Sequence, residues 1–248
     1  MGSDRLAIRA RVGLIIPSSN RLTEPQFHRY APSGVQYHVT RLRMTGPHHV
    51  PLPDLVPRIV EAAQMLGDAK CDLVVFHCTS SSMQAGLAAE QQVVEAIQRA
   101  TGRPAITTAS AAVEAFRALE ARRLALVTPY PHEVNEREIA FLAEAGLEVI
   151  RDRALGLGGS DAYFAAPPSL WAQVTREEAD PRADAYFLSC TAIDTIDIIE
   201  ELELILGRPV VTSNQAAIWC SLRTCGVEDR VPGLGRLLQL ESPARAPA

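Results

Sequence analysis

Short apolar runs alternate along the chain with stretches whose apolar residues recur every three or four positions, and the alternation begins twice. Val12-Gly13-Leu14-Ile15-Ile16 has the length and content of a buried strand and stops at Pro17-Ser18-Ser19-Asn20, a turn-forming cluster. Val35 to Leu42 alternates as a second strand. Leu55, Val56, Ile59, Ala62, Ala63 and Leu66 then lie at helical spacing, with Gly67 as a stop. Leu73-Val74-Val75-Phe76 predicts a third strand, running through His77-Cys78 into the small hydroxyl row Thr79-Ser80-Ser81-Ser82. A helix from Met83 to about Ala100 follows. After the turn Thr101-Gly102-Arg103-Pro104, Ala105 to Thr108 predicts a short strand, and Ser110 the cap of a helix through Phe116 and Leu119.

The pattern restarts at Leu124-Ala125-Leu126-Val127-Thr128, a strand closed by Pro129-Tyr130. A helix over His132 to Ala145, a strand over Leu147 to Ile150 and a glycine-rich loop from Leu155 to Ser160 follow. That loop lacks the glycine spacing and strand-turn-helix setting of a dinucleotide fingerprint. A weaker helical signal surrounds Trp171 to Val174, and Ala185-Tyr186-Phe187-Leu188 is a strand ending in Ser189-Cys190-Thr191. Ile193 to Leu206 reads as a helix, and Gly207-Arg208-Pro209-Val210-Val211-Thr212 repeats the run that begins at Gly102. Cys78 and Cys190 lie 112 positions apart, as do Pro17 and Pro129. An internal duplication is the economical account. Strand–helix alternation in both halves predicts an α/β fold of two pseudo-symmetric Rossmann-like lobes, each a parallel sheet covered by helices, with the active site in the cleft between them. The expected division places residues 9–115 and 210–238 in the first lobe, 116–209 in the second and 239–248 in a disordered tail.

Composition narrows the picture. With 248 residues, 47% apolar and 21% charged, the chain can bury a sizeable core. A net charge of −5 offers no basic field for nucleic acid, and no apolar run reaches bilayer length, so no membrane partner is expected. The first residues lack the apolar centre of a signal peptide, which points to the cytoplasm. A homo-oligomer is the default assembly, a two-fold dimer being the commonest. Five cysteines without a Cys-x-x-Cys pair argue against both a disulfide framework and a structural zinc site. The adjacent His48 and His49 have no partner at metal-ligand spacing, so no metal is expected.

Candidate chemistry gathers where strands end. In α/β folds the carboxyl edge of the sheet is where ligands bind, and Cys78 and Cys190 both stand there before turns into helices. Amide N–H groups at such a turn lower a thiol's pKa and make a pocket for anions. Cys71, Cys220 and Cys225 have no such setting and read as small core residues. Ser18, Ser19 and Asn20 are either turn and helix-cap residues or amides and hydroxyls suited to a carboxylate.

Together, the stretch Val12 to Asn20 with Glu24-Pro25, Cys78-Thr79-Ser80, Val127-Thr128-Pro129-Tyr130, Ser189-Cys190-Thr191 and Pro209 to Ala216 resembles the maleate cis-trans isomerases of the Asp/Glu racemase superfamily, relatives of the arylmalonate decarboxylases. The resemblance runs from about Val12 to Leu237. It implies a cofactor-free enzyme acting on a small carboxylate. Cys78 would be the nucleophile adding to the double bond, and Cys190 the acid protonating the adjacent carbon. Asn20, Ser18, Thr79, Ser80, Tyr130 and Thr191 would form the substrate site. A soft thiolate suits conjugate addition and a neutral thiol can serve as acid; the unlike neighbours His77 and Ser189 are candidates for setting the two thiols apart. The resemblance also implies a second substrate-binding Asn, but the corresponding loop reads Gly158-Gly159-Ser160-Asp161-Ala162-Tyr163, where Asp161 would repel a carboxylate. Both cysteines are present, whereas the decarboxylases keep only the second. A two-cysteine racemase of an amino acid or related acid stays open, as do a decarboxylase-like enzyme and a non-catalytic ligand-binding protein.

Overall fold

Ala10–Pro17 (β1) is buried along almost its whole length, as an apolar strand at the centre of a parallel sheet must be. It pairs in parallel with Val35–Leu42 (β2) on one side and Leu73–Phe76 (β3) on the other, and β3 pairs with Ala105–Thr107 (β4). The second lobe repeats this. Arg123–Thr128 (β5) lies between Glu148–Ala154 (β6) and Ala185–Leu188 (β7), and β7 pairs with Val210–Thr212 (β8). The strand orders are β2-β1-β3-β4 and β6-β5-β7-β8, one order used twice. The computed structural model describes residues 7–44 and 50–241.

The helices in chain order are α1 (Thr23–Arg29), α2 (Leu52–Asp68), α3 (Thr79–Met83), α4 (Gly86–Thr101), α5 (Thr108–Ala118), α6 (His132–Glu144), α7 (Ser160–Ala165), α8 (Pro168–Glu177), α9 (Ile199–Leu206) and α10 (Ser213–Thr224). The predicted helix from Met83 to Ala100 is two: α3 holds the hydroxyl row, and α4 restarts at Gly86, whose φ of +79° breaks the helix. The cap expected at Ser110 is Thr107, whose hydroxyl accepts from the Ser110 N–H while the Ser110 hydroxyl accepts from the Thr107 N–H. The expected helix from Ile193 begins later, as a 3₁₀ turn over Ile196–Ile198 leading into α9.

The expected lobe boundary at 209/210 is shifted, because β8 (Val210–Thr212) completes the second sheet. Two helices then bridge the lobes. α5 follows β4 of the first sheet, yet its Phe116 packs edge-on against Phe187 of β7, with ring centroids 5.3 Å apart. α10 follows β8 but packs on α5, α1 and β3. One apolar core therefore runs through both lobes, joining Phe27, Tyr37, Phe116, Phe187, Trp171 and Trp219. A smaller core lies between the first sheet and α2 and α4, around Ile15, Leu55, Ile59, Phe76 and Ile97. Within the tail expected at 239–248, the described residues are ordered: Leu237–Gln239 form a 3₁₀ turn, and the Leu240 carbonyl accepts from Trp219 Nε1 and from Arg223. Residues 242–248 and the pair His48-His49 lie outside the described residues. Among the described residues no helix is long and apolar enough to cross a membrane, and no cluster of three His, Cys, Asp or Glu side chains could hold a metal.

Candidate active site

Parallel pairing points the carboxyl ends of β1, β3, β5 and β7 at one crevice, and the residues after each strand meet there. Pro17, Ser19 and Asn20 after β1, Cys78, Thr79 and Ser80 after β3, Tyr130 after β5, and Cys190, Thr191 and Ala192 after β7 line one pocket, with Ser160 and Tyr163 of α7. Its volume is about 20 Å³, room for little more than one water. Both thiols are buried, Cys78 2% and Cys190 6% exposed.

Cys78 takes extended backbone (φ −151°, ψ 105°) at the residue before α3, and its thiol donates to Ser81 Oγ at 3.2 Å. The first amides of α3 have no acceptor within their own helix. Cys190 differs. Burial pushes its thiol up to about 12, opposed by the Tyr130 hydroxyl, which donates to the sulfur, and by the Ala192 N–H at 3.3 Å. The second thiol is thus held neutral, as a donor of a proton must be. Burial also raises Tyr130 well above its ordinary range, so its hydroxyl stays protonated.

Asn20 clasps the lobes together. Its Oδ1 accepts from the N–H groups of Leu22 and Thr23, fixing the start of α1, while Nδ2 donates to the Thr191 carbonyl at 3.0 Å and to its hydroxyl at 3.1 Å. Thr191 is further held by Asn214 Nδ2 at 3.3 Å, and Asn214 Oδ1 meets His77 Nε2 at 2.8 Å. His77 is thereby committed to structure: Nδ1 meets Thr108 Oγ1, and burial drives the imidazole down to about 4, so it is neutral. The two loops carrying the thiols are tied to each other through Asn214, a link with no periodic signature in the sequence.

Of the residues expected at the site, Asn20, Cys78, Thr79, Ser80, Tyr130, Cys190 and Thr191 converge on the pocket. Ser18 does not line it; its hydroxyl bonds the N–H and carbonyl of Met44, joining the ends of β1 and β2. Its neighbour Ser19 faces inward instead. Asp161 does not face the pocket either. Because α7 begins at Ser160, residues 160 and 163 share a face and Asp161 points away, its side chain 98% exposed and paired with Arg21 at 2.8 Å. Tyr163 comes to the pocket in its place, edge-on to Tyr130 with centroids 6.0 Å apart. The same loop latches the mouth: Ser19 and Ser160 hydroxyls meet at 2.8 Å, and Arg21 also donates to the Ser160 carbonyl and lies over the Phe164 ring. The signal that locates Ser160 and Tyr163 is their spacing of three behind a glycine pair.

Two equivalent strand ends presenting thiols to one buried polar pocket define a two-lobed α/β protein with a pair of facing cysteines. The family model for arylmalonate decarboxylase matches residues 12–238, and the chain belongs to that family. Arylmalonate decarboxylase from Bordetella bronchiseptica is 37% identical over 186 residues, covering 74% of this chain and 78% of that one. A maleate isomerase of Pseudomonas putida is 30% identical over 241 residues, covering 92% and 96%. Among solved structures, the maleate isomerase Iso from Pseudomonas putida with maleate superposes with a TM-score of 0.88 at 28% identity, over 92% of this chain and 97% of that one. A Nocardia farcinica maleate cis-trans isomerase mutant with a covalently bound succinylcysteine intermediate gives 0.86 at 26% identity, over 93% and 98%.

Proposed function

We propose that the protein is a cofactor-independent cis-trans isomerase of a small unsaturated dicarboxylate, of the maleate-to-fumarate type. The observation that carries this is the pair of unlike buried thiols on one pocket, Cys78 before the amides of α3 and Cys190 held neutral. The Cys78 thiolate adds to one alkene carbon, forming an S–C bond, and the π electrons take the proton from the Cys190 thiol at the neighbouring carbon. Rotation about the new single bond follows. The Cys190 thiolate then removes that proton, the C=C bond re-forms and Cys78 leaves as thiolate. Tyr130 and Asn20 hold a carboxylate by turning their donors to it from Cys190 and Thr191, with the Thr79 and Ser80 amides beside it. The Ser80 hydroxyl, buried without a partner, is a ready donor to the same anion. Thr191 serves chiefly through its backbone and hydroxyl bonds to Asn20. The succinylcysteine seen in the Nocardia farcinica relative supports covalent addition by a cysteine.

The higher identity to a decarboxylase favours a second reading, loss of CO2 from an arylmalonate with Cys190 as proton donor. Against it stands Cys78, a second thiol on the pocket for which a decarboxylation has no use. Proton NMR in D2O separates the two. Fumarate appearing from maleate with wild-type protein, and none with Cys78→Ser, supports the isomerase. Unchanged maleate beside conversion of phenylmalonate overturns it, and α-proton exchange in aspartate identifies a racemase.

A further inference from the structure

Glu138 takes no part in the chemistry above, yet it lies behind it. It sits on the inner face of α6, 1% exposed, and neither carboxyl oxygen has a hydrogen-bond partner. The buried Ser189 hydroxyl, on the residue before Cys190, is the group that eases its ionisation, but it too makes no bond of normal geometry. A cavity of about 10 Å³ separates Glu138, Arg137 and Val134 of α6 from Ser80 and Met83 of α3 and Gln84 just after it. Ser80 lines both this cavity and the active-site pocket. An unpaired carboxylate here would be costly, and burial pushes the group up to about 7.

The duplication supplies a comparison. Gln26 on α1 lies 112 positions before Glu138, the offset that relates the two cysteines. Its side-chain Oε1 accepts from Asn214 Nδ2 at 2.5 Å, within the network that fixes His77 and Thr191. At this place the first lobe uses a neutral amide of the same length.

The groups facing Glu138 set what its charge does. Tyr130 after β5 and Cys190 after β7 are both made harder to ionise by it. From α3 and the residue just after it come Ser80, Met83 and Gln84, none of which ionises. On β6, Asp152 is bonded to Asn135, and the contact with α4 runs from the Leu87 N–H to Glu144. Arg137 on its own helix lines the same cavity.

We propose that Glu138 is a positioning residue that works as a neutral acid: protonated, it donates to Ser189 and lets Cys190 carry the negative charge left when its proton goes to substrate, whereas the carboxylate opposes that charge. A carboxylic acid kept neutral to donate a hydrogen bond is a known catalytic device. The proposal rests on Cys190 being the acid of the isomerase reading. No proton leaves Glu138 in the cycle; ionisation merely adds a second buried anion beside the Cys190 thiolate.

The sign of the pH dependence follows. Turnover needs Glu138 protonated, so kcat falls as pH rises through about 7, roughly tenfold per unit beyond it. Glu138→Gln mimics the protonated form. The expected result is that its kcat at pH 6 stays within about threefold of wild type, and that the alkaline fall moves up by at least about one unit, a tenfold gain over wild type at pH 8. An alkaline limb unmoved in Glu138→Gln overturns the proposal. So does a Glu138→Gln chain that fails to fold, since an amide of the same shape should replace a neutral acid. Infrared difference spectra of wild type minus Glu138→Gln, titrated between pH 5 and 9, read the protonated carboxyl directly. If wild type leaves maleate untouched, the isomerase reading falls on its own, and the infrared band still decides: a proton present at pH 6 and lost by pH 8 supports the acid, and none at pH 6 overturns it.

Discussion

Asn20 shows how much one side chain can carry at the join of two lobes. Its oxygen starts α1 and its nitrogen holds the Thr191 loop, so the two halves of the amide do separate jobs. Asn20→Asp keeps the acceptor and removes the donor, placing a carboxylate against the Thr191 carbonyl. We expect it to lower kcat/KM for maleate by at least about a hundredfold and stability by about 1–3 kcal/mol, read by NMR rates and urea unfolding; a change in stability without loss of rate would assign Asn20 to structure alone. The turn cluster at residues 17–20 pointed to this residue under either of its two readings, a cap for the helix that follows or a polar group at a strand's carboxyl end. Ser18 and Ser19 could not be told apart, since neighbouring hydroxyls in a turn differ only in direction. Asp161 misled for the same reason: its direction is fixed by where α7 begins, which no local signal marks beyond Gly158-Gly159. Glu138 was invisible, as an acid among Glu133, Glu136 and Glu144 reads as helix surface until the packing of α6 is known.

At the scale of elements, the strands were legible because central parallel strands are continuous apolar runs, and helix α2 because its apolar face repeats regularly. Breaks were harder. The gap between α3 and α4 depends on Gly86, where an added Cβ would come within 2.9 Å of Glu144 Oε2, the atom that accepts from the Leu87 N–H. Gly86→Ala therefore faces a left-handed backbone and a crowded cap together. The expected cost is about 1–3 kcal/mol, measured by urea denaturation, with isomerase activity falling as α3 and its Cys78 are displaced. Stability unchanged within about 0.5 kcal/mol would show that the α3–α4 corner tolerates another turn.

For the molecule as a whole, the offset of 112 residues shared by Pro17 and Pro129 and by Cys78 and Cys190 exposed two lobes, but not the packing of α5 and α10 on each other between them. Local periodicity says which face of a helix is apolar and nothing about which sheet receives it. The structure supplies what the pattern lacks: every residue from Ser213 to Arg223 is buried, polar ones included, so this helix is covered all round and lies inside the molecule. The paired helices α5 and α10 bind the lobes into one core, while Ser19, Arg21, Ser160 and Asp161 form a polar latch across the cleft. That latch spans the mouth of the pocket that both thiols line. Its ion pair is exposed, hence weak and open to screening. Ionic strength thus becomes a throttle on substrate entry: at limiting maleate, raising potassium chloride from about 0.05 to 0.5 M, where the screening length falls from beyond 10 Å toward a few ångströms, should speed turnover by less than about fivefold. Arg21→Ala should start fast and ignore the salt.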